Sequence, residues 1–320
     1  MKMKTSFKLL AIISAAFAAL ASAQQYPVRA IRFITVGGDD AIPRIVAQAL
    51  SNQLGQQVYV EEHGGASGTI GADVASRAAA DGYTILVATT AHMVTPHFYK
   101  LNYDILRDFD SISLLAMYPF VLLSHPSLPV KTLADLVKLA KAKPGQLNYS
   151  STSAGSTTML VAEMFKTAAH INLVHVPYKS VGAALTDVIA GQVQLNLNTV
   201  PGVLAQVQAN RVRALAVSTA HRSAALPDVP TFGEEGYSQV LATAWSGLLA
   251  PAKTPAPILN RLNAEVVKAL RLPAVRERII SLAMEPSETT REEFTARMKA
   301  DLAKWTEAVK DAKVPVVGQR

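Results

Sequence analysis

The feature of this chain that most constrains its fold is a repeated succession of short apolar run, glycine-rich turn and amphipathic helix. Residues 31–36 form such a run and lead through Gly37 and Gly38 into a helical pattern, and residues 58–61 lead through the turn at 63–68 into another. The same succession returns between residues 147 and 217. Short strands that alternate with helices predict an α/β fold with a mainly parallel sheet. Ligands of such open sheets bind beyond the carboxyl ends of the strands, where these turns lie.

One of these turns, within residues 149–158, is rich in serine and threonine and contains Gly155. The run at 157–169 that follows has apolar residues at helical spacing, so the segment is predicted to be a strand end, a tight turn and a helix N-terminus. The first turn of a helix has unpaired N–H groups and the positive end of the helix dipole, and both attract an anion. The alternative is that Ser156 or Thr157 simply caps its own helix.

The first 23 residues have the composition of a secretory signal. Lys2, Lys4 and Lys8 precede an apolar run at 9–20, and small residues end at Ala23. The run of about 12 residues is shorter than the roughly 20 that a membrane-spanning helix needs. We therefore expect cleavage after Ala23 and a mature chain that is exported to the periplasm and is not inserted in the membrane.

Composition and motifs exclude several classes of protein. The chain has no cysteine, which rules out disulfides, zinc–thiolate sites and thiol nucleophiles. Its net charge of +7 is spread along the sequence, so we expect no nucleic-acid partner. The seven histidines lack paired metal-ligand spacing, and neither a nucleotide-binding loop nor a serine-hydrolase motif is present. We therefore expect a protein that binds a ligand without metal or cofactor and is not an enzyme. The 297 residues that would remain after cleavage at Ala23 suggest two domains.

Several runs, in order along nearly the whole mature chain, resemble one family. They are GGASGTIGAD at 64–73, DGYT at 81–84, YD at 103–104 with DF at 108–109, AKPG at 142–145, VHVPYK at 174–179, LTD at 185–187, RALA at 213–216 and LPDVPT at 226–231. The sequence thereby resembles the Bug family, the periplasmic substrate-binding proteins of tripartite tricarboxylate transporters.

The resemblance implies the two-lobed Venus-flytrap fold of periplasmic binding proteins, type II-like, with one discontinuous lobe. The first lobe would comprise residues 24–122 and 246–320, and the second lobe residues 123–245. Crossover segments near 115–123 and 245–249 would let the lobes close on a ligand by a hinge motion.

By position, the resemblance also implies a ligand site shared by the two lobes. The residues expected to bind the ligand are Gly37, Gly38, Ala66, Ser67, Thr90 and His92 from the first lobe, and Ser153, Gly155, Ser156, Thr157, Tyr178, Lys179 and Asn198 from the second. The first turn, at Gly37, is shorter than is usual in the family. Of the Thr-Asp pair that normally follows it, only Asp40 remains.

The implied function is that of a monomeric carrier, which captures a small organic acid and delivers it to a two-component membrane permease. The alternative from another class is a sensory receptor module, which binds a signalling ligand or a protein partner and feeds no permease. The shortened first turn keeps this alternative open.

Overall fold

The computed structural model describes residues 26–37, 40–153, 155–178, 180–312 and 314. The predicted signal peptide, Gly38 and Lys179 lie outside the described residues. Across the described part of the chain, every helix is too short or too polar to cross a membrane.

The ten strands of the described chain are β1 (Ile31–Thr35), β2 (Val58–Glu62), β3 (Thr84–Thr89), β4 (Phe109–Ser124), β5 (Leu147–Ser151), β6 (Leu173–Pro177), β7 (Leu195–Thr199), β8 (Arg213–Val217), β9 (Thr243–Pro251) and β10 (Glu285–Pro286). Its helices are α1 (Ala41–Leu54), α2 (Thr69–Ser76), α3 (Ala91–Val94), α4 (Leu133–Ala142), α5 (Thr157–Ala169), α6 (Val181–Ile189), α7 (Val200–Gln208), α8 (Ala256–Arg271), α9 (Pro273–Ser281) and α10 (Arg291–Asp311). Short 3₁₀ turns occupy Ala66–Gly68 and Thr95–His97.

The strands form one continuous sheet in the order β2-β1-β3-β9-β4-β7-β5-β6, and β8 and β10 also pair with β4. The flanks are parallel: β1 pairs with β2 and β3, and β5 pairs with β6 and β7. The centre is antiparallel, because β9 lies between β3 and β4 and β4 pairs with β7. The prediction of an α/β fold is therefore confirmed, but the expectation of a mainly parallel sheet is wrong for the centre. A parallel pair needs a crossover connection, which is usually a helix between two strands that follow one another in sequence. Strand β9 begins more than a hundred residues after β4 ends, so the two do not form such a unit.

The long strand β4 belongs to both halves of the sheet. Its residues 109–119 pair with β9, and from Phe120 onward it pairs with β7. The change of partner comes directly after Pro119, which has no N–H to donate to a ladder. Phe120 N instead donates to Ser218 Oγ at 3.0 Å. Pro119 thus lies within a strand, at the position where the ladder passes from one half of the molecule to the other.

Helix caps and buried faces follow the sequence pattern. Thr132 and Thr290 cap α4 and α10 with reciprocal bonds to Asp135 and Glu293, as capping boxes do. Helix α10 packs along β4 and against α3 and α5. Its Asp301 accepts a hydrogen bond from Trp245 Nε1 on β9 at 2.7 Å. The C-terminal helix is therefore bonded directly to the shared centre of the sheet.

Candidate functional site

The turns after β2 and β5 belong to opposite halves of the sheet and meet in the structure. Ser67 Oγ lies 2.9 Å from Ser153 Oγ, which is a hydrogen bond between side chains 86 positions apart in sequence. Beside it, Gly155 packs against Phe98. A Cβ atom added to Gly155 would lie 2.8 Å from Phe98 Cβ. These two contacts define the place where the halves touch, and six sequence-predicted residues lie on the turns after β2 and β5: Ala66, Ser67, Ser153, Gly155, Ser156 and Thr157.

The turn after β2 has a left-handed backbone at four consecutive residues. The φ angles are +115° at Gly65, +45° at Ala66, +55° at Ser67 and +92° at Gly68. Two of these residues carry a Cβ atom, and left-handed conformations of such residues cost on the order of 1 kcal/mol each. Within this turn, Ala66 is exposed to solvent. Ser67 is half-buried where its side chain contacts Ser153. Strain of this kind is typical of ligand-binding turns.

The turn after β1 is bordered by acidic side chains. Gly37 has φ +79°, and a Cβ atom there would lie 2.7 Å from Glu62 Oε1. Asp40, at the start of α1, accepts a hydrogen bond from Thr35 Oγ1 at 3.1 Å. A hydrogen bond from His63 and the charge of Arg32 lower the pKa of Glu61. We refer to Asp40 and Glu62 as the acidic border of this turn.

The predicted residues that follow β3 are buried. Thr90 Oγ1 accepts a hydrogen bond from Trp245 N at 2.8 Å, so this hydroxyl ties β3 to β9. His92 has no exposed surface, and its Nδ1 lies 3.0 Å from the amide nitrogen and 3.2 Å from the carbonyl oxygen of Thr89. Burial lowers the pKa of His92 to about 4, so the ring is neutral at pH 7. Its Nε2 lies near the backbone of Gly68 but makes no well-formed hydrogen bond among the described residues.

The two hydroxyls at the start of α5 have different contacts. Ser156 Oγ accepts the Met159 amide at 3.2 Å and donates to the carbonyl of Ser153 at 2.8 Å. The capping alternative therefore holds for Ser156. Thr157 Oγ1 is buried and has no hydrogen-bond partner within the part of the chain that the structure describes. Thr157 is therefore the better candidate for a contact with a ligand.

Tyr178 and Asn198, the two remaining predicted residues of the second half that the structure describes, are bonded within the protein. The hydroxyl of Tyr178 donates to Asp187 Oδ2 at 2.6 Å, and this bond raises the pKa of Tyr178 to about 12. The backbone of Tyr178 still adjoins the turn, because its N–H donates to the carbonyl of Ser151. Asn198 is buried; its amide donates to Asn196 Oδ1 and its Oδ1 accepts the Thr199 amide. Strand β7 is covered on both faces, so its asparagine side chains are buried.

A buried serine–histidine contact beneath the turn was not predicted. Ser151 Oγ lies 2.7 Å from His175 Nε2, and Ser151 has no exposed surface. Both residues were visible in the sequence as parts of strands. The two residues lie on different strands, and the pairing of β5 with β6 brings them together. The spacing of residues within one strand does not indicate such a contact.

The groups near the contact of the two turns are mostly hydroxyls and helix N–H groups, with the acidic border on one side. Such groups can bind an anionic or polar ligand by hydrogen bonds. Among the residues that the structure describes, no group of three or more histidine, cysteine or acidic side chains could hold a metal ion.

Comparison with known proteins identifies the family. Residues 42–314 match the model of the tripartite tricarboxylate transporter family receptor. Protein BugT of Bordetella pertussis is 32% identical over 318 residues, which cover 95% of this chain and 97% of BugT. The solved structure of R. palustris Rpa4515 with adipate superimposes with a TM-score of 0.85 and 30% identity, over 90% of this chain and 99% of that one. MatC from Rhodopseudomonas palustris, with bound malate, gives a TM-score of 0.82 and 27% identity, over 89% and 100%.

These likenesses confirm the two-lobed periplasmic-binding-protein fold, and the family consists of receptors rather than enzymes. The chain belongs to the tripartite tricarboxylate transporter receptors, the Bug family that its sequence motifs resemble.

Proposed function

We propose that this protein is a periplasmic receptor that captures a small organic acid between its two lobes and delivers it to a two-component membrane permease. The observation that carries the proposal is the contact of Ser67 with Ser153. It joins the turn after β2 to the turn after β5, which are the proposed ligand-binding turns of opposite lobes. A ligand that bonds to both turns favours the closed arrangement over the open one, whereas a ligand that bonds to one turn only does not. We retain the division into lobes expected from the sequence, 24–122 with 246–320 for the first lobe and 123–245 for the second.

A carboxylate suits the polar groups at this place. The N-terminus of α5 offers unpaired N–H groups, and Thr157 adds a buried hydroxyl without a partner among the described residues. The solved relatives hold adipate and malate, which are both carboxylates. We retain the thirteen sequence-predicted residues as the proposed site. In this site Ser156 acts chiefly as a helix cap and Tyr178 through its backbone.

Delivery and location are part of the same proposal. The family is named for a tripartite transporter, of which the receptor is one component. The signal-like first 23 residues support export to the periplasm. Deletion of the gene should abolish uptake of the bound acid by the cell, and the intact gene should restore it. Uptake that persists without the receptor would contradict delivery to a permease.

Binding is tested on the mature protein, residues 24–320, with malate and adipate as probes. Ligand at 100 times its dissociation constant adds about 2.7 kcal/mol to the free energy of unfolding, which for a chain of this size raises Tm by roughly 5 °C. The matched control is dimethyl adipate, which has the same carbon chain and no charge. We expect at least one acid to raise Tm and the ester to leave it unchanged. Failure of both acids, or equal binding of the ester, would contradict a carboxylate site.

A further inference from the structure

We propose that His175 is a positioning residue for ligand binding, which holds the turn between β5 and α5 in its binding shape through Ser151. This inference rests on the proposed function. His175 Nε2 lies 2.7 Å from Ser151 Oγ, beneath the turn that carries Ser153, Gly155 and Thr157. The role differs from that of a ligand-contacting residue, because His175 acts through another side chain.

The histidine ring is fixed by its surroundings. His175 is paired with Tyr149 across β6 and β5, and the two rings stack with centroids 4.9 Å apart. The hydroxyl of Tyr149 donates to Glu163 of α5, which also pairs with Lys166 at 2.8 Å. Helix α5 therefore covers the same face of the sheet. Burial lowers the pKa of His175, so the ring is neutral at pH 7 and presents one donor and one acceptor.

The bonds lead from this ring to the opposite lobe in a few steps. Ser151 Oγ contacts His175 and lies 3.2 Å from the carbonyl oxygen of Ser153. The same carbonyl accepts bonds from Ser156 N at 3.3 Å and from Ser156 Oγ at 2.8 Å. The side chain of Ser153 then contacts Ser67. Loss of the His175 contact frees the Ser151 hydroxyl, and one of the three donors that hold the Ser153 carbonyl is no longer fixed.

The test compares four proteins with the wild type. His175→Phe keeps a ring to stack on Tyr149 and removes Nε2; His175→Gln supplies a polar group at about the same reach; Ser151→Ala removes the partner hydroxyl; and the fourth combines His175→Phe with Ser151→Ala. Ser150→Ala is the matched control. Ser150 is equally buried and adjacent, but its hydroxyl accepts from Asn196 on the other face of β5.

Affinity is measured by calorimetry with malate and with adipate, and stability by urea unfolding. A single hydrogen bond corresponds to an affinity change of about three- to tenfold. We expect that loss in His175→Phe and in Ser151→Ala, partial recovery in His175→Gln, and no further loss in the double variant, because both changes remove one contact. Ser150→Ala should lower stability and leave affinity unchanged. Losses that multiply in the double variant, or unchanged affinity in both single variants, would overturn the proposal.

A second arm separates this inference from the proposed function, because it needs no ligand. Amide hydrogen exchange in the peptide that covers residues 151–160 should be faster in His175→Phe and in Ser151→Ala than in the wild type and in Ser150→Ala. If neither acid binds the wild type, the proposed function fails and exchange alone decides the role of His175. Exchange of this peptide that is equal in all four proteins would refute the positioning role whether or not an acid binds.

Discussion

At the start of α5, Ser156 and Thr157 differ in what their hydroxyl groups contact. Thr157 Oγ1 is buried without a partner among the described residues, so Thr157→Val removes a hydroxyl that contributes no internal bond. We expect this variant to bind adipate about three- to tenfold more weakly, since the lost bond would be to the ligand. Its Tm should stay the same or rise, because a buried polar atom without a partner is replaced by a methyl group. Calorimetry and a thermal melt measure the two quantities.

Ser156→Ala is the control for this change, since it alters the neighbouring hydroxyl. It removes the N-cap bond to Met159, so the free energy of unfolding should fall by about 1 kcal/mol. A Thr157→Val variant that binds adipate as tightly as the wild type would remove Thr157 from the site. Equal stability of Ser156→Ala and the wild type would contradict its capping role.

His92 makes stability depend on pH in a defined direction. Its native pKa of about 4 lies below the value of 6.5 for an exposed ring, because burial disfavours the charge. Between these two values the unfolded chain binds the extra proton, so stability is fully present above pH 6.5 and falls as the pH drops towards 4. At pH 4.5 the loss due to His92 is on the order of 2 kcal/mol.

His92→Gln should remove this part of the pH dependence. Urea unfolding at pH 7.0 and pH 4.5 gives the change in stability for each protein, and the variant should lose less than the wild type by roughly that amount. His97 and His175 also have lowered pKa values from burial and contribute a slope of the same sign to both proteins, which cancels in the comparison. Equal pH dependence of the two proteins would show that His92 is not the titrating group.

At the scale of elements, the sequence could predict those strands and helices that follow one another closely. The apolar runs and turn residues indicated β1, β2 and β5. The antiparallel centre could not be predicted, because β3 and β4 pair with β9, which lies more than a hundred residues later in the chain. Local periodicity carries no information about such a partner.

The same limit applies to the site. The hydroxyl-rich segment could be predicted as a strand–turn–helix with a helix N-terminus. The direction of the Tyr178 hydroxyl, towards Asp187, depends on how α6 packs beside β6, and the burial of Asn198 depends on cover from both faces of β7. The contact of His175 with Ser151 likewise exists only through the register of two strands. Side-chain partners of this kind are set by packing and not by spacing along the chain.

The turn after β1 should affect which acids bind. The carboxylate of Glu62 adjoins Gly37, and Asp40 lies close behind it, so a second negative charge on a ligand would be repelled there. We expect Glu62→Gln to raise the affinity for adipate about two- to fivefold at low salt, with a smaller gain for hexanoate, which has one carboxylate on a similar chain. Calorimetry with both acids measures the difference.

The control is Glu277→Gln, an exposed glutamate on α9, outside the turns. It changes the net charge of the protein by the same amount and should leave both affinities nearly unchanged. The gain for adipate should shrink in high salt, because exposed charges are screened. Equal gains for adipate and hexanoate would show that Glu62 does not face the second carboxylate.

At the scale of the whole molecule, the two halves share β4 and touch again where Ser67 meets Ser153 and Phe98 meets Gly155. Strand β4 keeps the two halves connected. The contacts of Ser67 with Ser153 and of Phe98 with Gly155 bring the halves together at the turns after β2 and β5. A change at one of these contacts should therefore alter the closure of the lobes without breaking the sheet.

Gly155→Ala tests this contact. A Cβ atom there would lie 2.8 Å from Phe98 Cβ, which is closer than carbon atoms approach, and Phe98 is fully buried and has no free space to move into. Gly155 also has φ +78°, so alanine costs on the order of 1 kcal/mol in the backbone as well. Gly191→Ala is the matched control: its φ is +74°, but the nearest atom to its Cβ is His125 Cε1 at 3.5 Å, an ordinary contact.

Both variants should therefore lose about 1 kcal/mol of stability from the backbone, and only Gly155→Ala should also push the turn after β5 away from Phe98 of the opposite half. We expect Gly155→Ala to bind adipate at least about tenfold more weakly, since a ligand that bridges the lobes needs both turns in reach. Small-angle scattering at saturating adipate should give a larger radius of gyration for Gly155→Ala than for the wild type or Gly191→Ala. If the two alanine variants have the same affinity and the same radius, the contact of Gly155 with Phe98 does not govern closure, and the site has to be sought away from this pair of turns.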